Sequence, residues 1–281
     1  MRRPIPRRRA DAHVHFFEGS YSDRQQAAHP EGEVAHYAEL RGQHELADAL
    51  VIGYEGIPRF KGNNEFIRAL STTNAWMHPV AYIAPGTTAS SIAELRAKGF
   101  VGASAYVDAQ QVEDPDWFGW MTQTLAVLDE QQLLLSINAG PATHRALYGV
   151  LSRRPDLVFM MSHLGLPGVQ PDPLDKSLAA TKDLLMLANC HTKLSGAYAT
   201  VAPGRAHDLA AAACDWIHWL VDSVGPERLL WGSDYSPVLE FLPFQQAVDV
   251  PGLQSLDDSQ LRLVFRDNLD QLLAHVRAGI S

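Results

Sequence analysis

Two histidines separated by one residue, His13 and His15, end the first apolar run of the chain, residues 10–16. Residues two apart on a β-strand share a face, so both imidazoles are predicted to point into one site, while Ala12 and Val14 face the opposite, helix-covered side. Paired imidazoles are typical of half of a metal site or of a proton-transfer cluster. The spacing alone is weak support in a chain with 12 histidines, and its place on the first strand-like run strengthens it.

Two further apolar runs end in a residue that can do chemistry. Residues 157–163 end in His163, and residues 229–234 end in Asp234. Asp234 is the natural general base for activating a water molecule. Gly232, on the same strand face, is predicted to leave room beside the carboxylate for a ligand or water. The structural alternatives are a loop-capping role for His163 and a helix N-cap role for Asp234.

The ends of the other runs, and the loops after them, supply candidate substrate-binding residues: Asn138, Ser195, Tyr54, Tyr106 and Arg59. Aromatic residues near the same ends predict a partly apolar pocket: Phe16, Phe17, Tyr54, Tyr106, Tyr198 and Tyr235. Lys193 shares a strand face with Ser195. An ammonium group inside the sheet requires a carboxylate partner, and we expect a structural role for Lys193.

Eight apolar runs alternate with helix-like patterns, and these elements must position the candidate residues. Each run is followed by a polar or glycine-containing turn and an amphipathic stretch. Eight such repeats predict a single-domain α/β protein, a (β/α)8 TIM barrel with its site at the C-terminal strand ends. A doubly wound open sheet is the alternative. The predicted strands are residues 10–16, 47–54, 77–84, 100–107, 132–138, 157–163, 191–195 and 229–234.

Composition excludes several classes of function. The formal net charge is −9, and basic residues concentrate only in a tail over residues 1–9, which we predict to be disordered ahead of the barrel domain, residues 10–281. No nucleic-acid partner is therefore expected. The 2 cysteines cannot form a disulfide framework, and no apolar stretch has the length of a membrane span. We expect a cytoplasmic protein that binds a small-molecule substrate, and a homo-oligomer is compatible with this composition.

The motifs together resemble the amidohydrolase-related (amidohydrolase 2) family of the amidohydrolase superfamily, in its lactonase-like branch. The resemblance runs over nearly the whole chain and is carried by Asp11-x-His13-x-His15, His163-x-Gly165-x-Pro167, residues 193–196 and residues 232–234. It implies a TIM barrel with lactonase or decarboxylase activity. In metal-using relatives the two strand-one histidines and the strand-eight aspartate bind one divalent cation. The resemblance thus implies metal ligands at His13, His15 and Asp234, and contact of His163 with substrate or water.

The chain departs from the family pattern at two strand ends. Asn138 stands where metal-using members carry a histidine, and an amide oxygen is a poor zinc ligand. Residues 101–105 present small side chains where relatives carry a metal-bridging lysine or a carboxylate-binding arginine. Arg59 and Lys61 could substitute for that arginine, although long charged side chains in loops are more often solvated. The resemblance therefore implies either one divalent metal ion, zinc first among the candidates, or a site that works without metal.

The expected reaction is hydrolysis of a lactone, in which Asp234 takes a proton from the attacking water. The three histidines would polarise the carbonyl or hold the metal: His13, His15 and His163. A metal-dependent decarboxylase of a small acid is one alternative, although it requires a cationic group that seats the carboxylate. A barrel that binds a small molecule without catalysis is the alternative of another class.

Overall fold

Apolar runs flanked by polar turns form eight parallel strands, which close almost completely into a barrel. The computed structural model describes residues 8–202 and 209–278, and its strands follow one another around the sheet in sequence order. A parallel bridge between Val14 and Tyr235 joins the ends of the first and last strands. An open doubly wound sheet would reverse its strand order at a switch point. That alternative is therefore excluded, and the predicted single-domain (β/α)8 barrel is confirmed.

The strands coincide closely with the predicted runs, although the sixth and eighth are shorter. Near-continuous apolar sequences such as LADALVI are typical of parallel strands that are buried on both faces. The strands are β1 (Arg9–Val14), β2 (Leu46–Ile52), β3 (Met77–Ile83), β4 (Gly102–Val107), β5 (Leu134–Ala139), β6 (Phe159–Met161), β7 (Cys190–Leu194) and β8 (Leu229–Trp231).

Helices cover the outside of the barrel and begin where the sequence supplies a cap. Asp108 begins α5 with a capping box, and Asp114 followed by Pro115 begins α6. Among residues 8–202 and 209–278, no helix combines the length and apolar composition needed to cross a bilayer. The helices are α1 (Asp23–Ala28), α2 (Glu33–His44), α3 (Asn63–Thr73), α4 (Ala89–Ala93), α5 (Ala109–Glu113), α6 (Pro115–Glu130), α7 (Pro141–Leu151), α8 (Ala179–Leu185), α9 (Leu209–Trp219), α10 (Phe244–Val248), α11 (Asp258–Arg262) and α12 (Asn268–Ala278).

The predicted basic tail, residues 1–9, lies outside the described residues as far as residue 7. The last arginine of that segment belongs to the barrel, because β1 begins at Arg9. Its backbone N–H donates a hydrogen bond to the carbonyl of Glu45 at 2.9 Å. The barrel therefore starts one residue earlier than the apolar pattern predicts.

The first strand departs from regular alternation. One apolar cluster lies between the strands and the helices, and a second fills the barrel interior together with residues of α12. Ala12 packs in this inner cluster, although alternation with His13 and His15 predicted that it would face the helices. β1 shifts its register against β2 between Asp11 and Val14. Such irregularities re-aim side chains, and this one lets Ala12 and both histidines face the interior.

A buried carboxylate closes the seam between β1 and β8. Asp11 accepts hydrogen bonds from the backbone N–H groups of Ser233 at 2.8 Å and His13 at 3.1 Å. The hydroxyl of Tyr37, on α2, donates to its other oxygen at 2.9 Å. Further along the seam, the N–H of Asp234 donates to the carbonyl of His13 at 2.8 Å. Asp11 therefore connects β1, β8 and α2 at the level of the strand ends.

We expect Asp11→Ala to destabilise the barrel more than any ordinary surface substitution. Removal of the carboxylate leaves buried N–H donors without acceptors, and each such group costs about 1–3 kcal/mol. The free energy of unfolding should fall by about 3 kcal/mol, measured by urea denaturation. Asp23→Ala is the control, because Asp23 is 90% exposed and its removal should change little. Equal losses in the two variants would contradict the role of Asp11 in the seam.

Candidate active site

The structure brings together the four residues that the motifs predicted. His13, His15, His163 and Asp234 are all buried at the C-terminal ends of β1, β6 and β8. The Nε2 atoms of His13 and His15 lie 3.0 Å apart, and they lie 3.6 and 3.7 Å from Oδ1 of Asp234. The Nδ1 atom of His163 lies 3.9 Å from Oδ2 of the same carboxylate. One oxygen of Asp234 thus faces the paired histidines and the other faces His163.

Two of these residues lie on strained backbone. Asp234 has a φ of 60° and His163 a φ of 53°, in the left-handed region that residues other than glycine seldom adopt. Such a conformation costs about 1–3 kcal/mol and persists where the surrounding structure over-determines it, often at active sites. His163 comes two residues after β6 and Asp234 three residues after β8. Their side chains turn toward the centre of the barrel mouth, the opening at the C-terminal ends of the strands.

Two glycines make room for the histidines. A Cβ atom on Gly196, whose φ is 55°, would overlap the Nδ1 atom of His163. A Cβ atom on Gly232 would lie 2.9 Å from the Cβ of His13 and 3.2 Å from the Cβ of Ser195. The space at the Cβ position of Gly232 is therefore filled by protein side chains. That a ligand or water lies beside Gly232 stays a prediction, because a small cavity also reaches this residue.

Burial changes the proton affinities of the cluster formed by His13, His15, His163 and Asp234. It lowers the pKa of His15 to about 4 and that of His163 to about 3, and it holds the pKa of His13 well below its usual value. Burial also raises the pKa of Asp234 to about 7, against a hydrogen bond from Tyr198 that lowers it. At neutral pH the imidazoles are therefore uncharged. A carboxylate with a pKa near the working pH has the proton affinity that a general base requires.

Hydrogen bonds determine which nitrogen of His15 carries the proton, and they orient the ring of His163. The Nδ1 of His15 lies 2.7 Å from the carbonyl of Ile52, which can only accept, so Nε2 faces the cluster as a lone pair. Ser195 Oγ accepts from the backbone N–H of His163 at 3.3 Å and lies 3.2 Å from its Nδ1. The tautomer of His163 in which Ser195 donates its hydroxyl proton to Nδ1 carries the ring proton on Nε2. Ser195, predicted to bind substrate, contacts His163 in this way.

Lys193 is a fully buried lysine inside the barrel, one layer below the cluster. Its Nζ donates to Ser136 Oγ at 2.8 Å and lies 3.4 Å from Nδ1 of His13. Burial lowers the pKa of Lys193 to about 7, opposed by the negative charges of Asp234 and Asp11. These carboxylates supply the compensating charge that a buried ammonium group requires. Lys193 thus contacts His13 from below, and the structural role expected for it stays a prediction.

Partly buried tyrosines line one wall of the barrel mouth. The ring centroids of Tyr54 and Tyr106 lie 4.6 Å apart, and Tyr82 lies 5.5 Å from the first and 5.9 Å from the second. Sequence reasoning missed Tyr82, although its position two residues after Val80 of the inner cluster places it on the inner face of β3. Asn138 pairs with Tyr106 across β4 and β5, so the predicted amide belongs to the same wall.

Other predicted residues lie away from the mouth. Phe16 and Tyr235 are fully buried outside the barrel, with ring centroids 5.4 and 4.9 Å from that of Tyr37. Each directly follows an inward-facing residue, so its side chain takes the opposite face, and the prediction that it lines the pocket is wrong. Arg59 forms an ion pair with Asp23 at 2.9 Å and is 42% exposed. Its guanidinium is directed to the surface rather than to the cluster.

The residues present fit a divalent cation. One ligand atom each from His13, His15 and Asp234 lie within 4.8 Å of one another, and two imidazole nitrogens with a carboxylate oxygen form a donor set that suits zinc. The lone pair of His15 Nε2 already faces the site. The second nitrogen of a metal-bound histidine usually donates to an acceptor, whereas His13 Nδ1 faces the amino group of Lys193. That contact favours weak retention of a metal, and so does Asn138, which stands where metal-using members of the family carry a histidine.

Comparisons with known proteins give one family and a set of similar structures. A family model described as Amidohydrolase matches residues 10–269. A probable 2-pyrone-4,6-dicarboxylic acid hydrolase from Acinetobacter baumannii, solved with citric acid bound, is 17% identical with a TM-score of 0.72, covering 95% of this chain and 99% of that one. An amidohydrolase from Burkholderia multivorans with bound zinc is 16% identical with a TM-score of 0.71, at coverages of 95% and 99%. No curated protein matches the chain.

We expect Gly196→Ala to impair hydrolytic activity far more than it impairs folding. The added methyl group displaces the His163 ring, and displacement of a reacting group by about 1 Å can cost about a hundredfold in rate. A steady-state activity assay and thermal unfolding measure the two effects. Gly168→Ala is the matched control, because Gly168 has a φ of 99° with open space around its Cβ position. It carries the backbone strain without the clash, so equal activity losses in both variants would contradict the role of Gly196.

Proposed function

The chain belongs to the amidohydrolase family, and on that premise we propose that it opens an uncharged lactone by attack of an activated water molecule. The observation that carries this proposal is the buried carboxylate of Asp234 facing uncharged imidazoles at the strand ends, with its pKa raised to about 7 by burial. A base of that proton affinity suits the deprotonation of water at neutral pH. The similar structures have the same fold at low sequence identity, so the substrates in their names are not carried over to this chain.

The proposed reaction uses Asp234 twice. Its Oδ2 atom accepts a proton from water as the water oxygen bonds to the lactone carbonyl carbon, and the carbonyl electron pair moves onto its oxygen. When the tetrahedral intermediate collapses, the bond to the ring oxygen breaks, and that oxygen takes the proton back from Asp234. Water is thereby added across one C–O bond, and the product is a hydroxy acid. The carboxylate returns to its starting state.

The proposed oxyanion donor is the Nε2–H group of His163. Ser195 Oγ lies 3.2 Å from Nδ1 of this ring and accepts from the backbone N–H of His163 at 3.3 Å. The tautomer protonated on Nε2 leaves that proton free for substrate. A donor aimed at the position where negative charge develops stabilises the transition state more than the ground state. We therefore assign Ser195 a positioning role that it exerts through His163.

His13, His15 and Asp234 would hold a divalent ion, for which we propose zinc. A bound divalent ion lowers the pKa of a water molecule and polarises the carbonyl. His15 presents its Nε2 atom to this position because Ile52 holds the opposite nitrogen at 2.7 Å. His13 is the weaker ligand of the two histidines, because its Nδ1 atom faces the amino group of Lys193 at 3.4 Å instead of an acceptor.

The lining of the mouth supports an uncharged substrate. The inner face of β4 presents Ser104 and Tyr106, and Arg59 is engaged by Asp23 at 2.9 Å on the surface. A carboxylate group that loses its hydration without a cationic partner costs several kcal/mol. The tyrosine wall instead offers aromatic faces and hydroxyl groups to a neutral ring.

Asp234→Asn should lower kcat by more than about a hundredfold, because the amide keeps the shape of the side chain but cannot accept the proton. Lactone hydrolysis by the purified protein, with metal content measured before and after chelation, tests the function and its metal requirement together. In the wild-type enzyme kcat/KM should rise with pH up to about 7, since Asp234 must be ionised to act as base.

Asp48→Asn is the control for this experiment. Asp48 is a carboxylate on β2 near the opposite end of the barrel, bonded to His78 at 2.8 Å, so its loss should leave kcat within a few-fold. Turnover by Asp234→Asn within a few-fold of the wild type would show that another group is the base. Zinc retained stoichiometrically after exhaustive chelation would contradict weak binding.

Matched lactones with and without a carboxylate beside the reacting carbonyl should differ in kcat/KM by at least about tenfold in favour of the neutral one. The reason is the desolvation cost of an unpartnered carboxylate, to which the net charge of −9 adds a small repulsion that salt screens. Measurement at two ionic strengths separates the desolvation cost from the charge repulsion. A preference for the carboxylated lactone that survives high salt would reveal a cationic anchor in the mouth.

A further inference from the structure

The two oxygens of Asp234 have different surroundings. Oδ1 faces the Nε2 atoms of His13 and His15, at 3.6 and 3.7 Å. Oδ2 accepts a hydrogen bond from the hydroxyl group of Tyr198. The oxygen that the proposed reaction uses for proton transfer is therefore already occupied by a phenol donor. Tyr198 appeared in the sequence as an aromatic residue near the mouth, and nothing in its local pattern indicated this contact.

The ring of Tyr198 is held from the outer side. It stacks on Phe241, with ring centroids 4.2 Å apart and an angle of 11° between the planes. Phe241 is 52% exposed, on the rim of the mouth. Tyr198 itself lies in a short helical turn that directly follows Gly196 and β7. The stack and the turn direct the hydroxyl group inward, onto the carboxylate.

We propose that Tyr198 is a further catalytic residue, whose hydroxyl donates to Asp234 in the substrate-free site and to the substrate oxygen that becomes negatively charged during attack. The inference rests on the proposed function, because that function makes Oδ2 of Asp234 a reacting atom. Tyr198 keeps its proton throughout and acts only as a hydrogen-bond donor.

The reason is the movement of negative charge during the reaction. Before proton transfer the charge is on the carboxylate of Asp234, and after it the charge is on the former carbonyl oxygen of the substrate. A hydrogen bond to an ionised acceptor is about twice as strong as one to a neutral acceptor. A donor that lies beside the base therefore forms its stronger hydrogen bond with the oxyanion once the negative charge has moved there.

The other donors of the cluster leave this role open. The Nδ1–H of His15 is used by the carbonyl of Ile52, at 2.7 Å. The Nε2 of His13 lies 3.0 Å from that of His15, which accepts. His163 offers one N–H to an oxyanion, and Tyr198 adds a second donor to the oxyanion site.

Tyr198→Phe tests the proposal because it removes the hydroxyl but keeps the ring and its stack on Phe241. Loss of one oxyanion donor costs about a hundredfold or more in kcat, so we expect kcat to fall by about that factor with KM within a few-fold. Kinetics use δ-valerolactone, a neutral aliphatic lactone, and dihydrocoumarin, a neutral aromatic one. Circular dichroism and thermal unfolding establish that the variant is folded.

The matched control is Tyr148→Phe, which removes a tyrosine hydroxyl on α7, in the helical layer away from the mouth. It should leave kcat within a few-fold. An unchanged kcat in Tyr198→Phe would overturn the proposal, and so would an increased kcat, which is the result expected if the phenol only blocks the base. A rise in KM alone would also overturn it, since that marks uniform binding. Failure of the wild type to open either lactone would instead count against the proposed function itself.

Discussion

The hydrogen bonds of one buried carboxylate, Asp11, hold the chemistry of this barrel together. Its oxygens accept from Ser233 on the β8 side and from His13 and Tyr37 on the β1 side. The paired histidines lie at the end of β1 and the proposed base follows β8, so the distances between them depend on this seam. A barrel in which these strands separated would keep every candidate catalytic side chain but lose the arrangement of these side chains.

Burial gives the cluster its chemical character. Exclusion of water keeps the imidazoles uncharged and raises the proton affinity of Asp234. Among the described residues, Lys193 is the one lysine or arginine that is buried, and it lies below this cluster. The backbone is strained at His163 and Asp234, and Gly196 leaves the room that the His163 ring takes. The same desolvation strengthens every hydrogen bond that reaches a developing charge.

Much of the fold and the centre of the site could be predicted from the sequence. Strand length, the alternation of apolar runs with helices, and the place of His13, His15, His163 and Asp234 at strand ends are local patterns. They depend on periods of two and 3.6 residues, which the chain displays without knowledge of its partners. The number of repeats then indicated a barrel, and in a barrel the C-terminal ends of all strands meet at one face.

The tertiary structure alone decided which groups touch. Asp11 and Ser233 are 222 residues apart in sequence, and Lys193 and His13 are 180 apart. No local pattern could assign the contact of Tyr198 with Asp234, or show that Gly232 makes room for His13. The register shift in β1 likewise reversed the face expected for Ala12. Periodicity reports the direction of a side chain from its own strand, whereas a contact depends on where a distant strand returns, and packing sets that position.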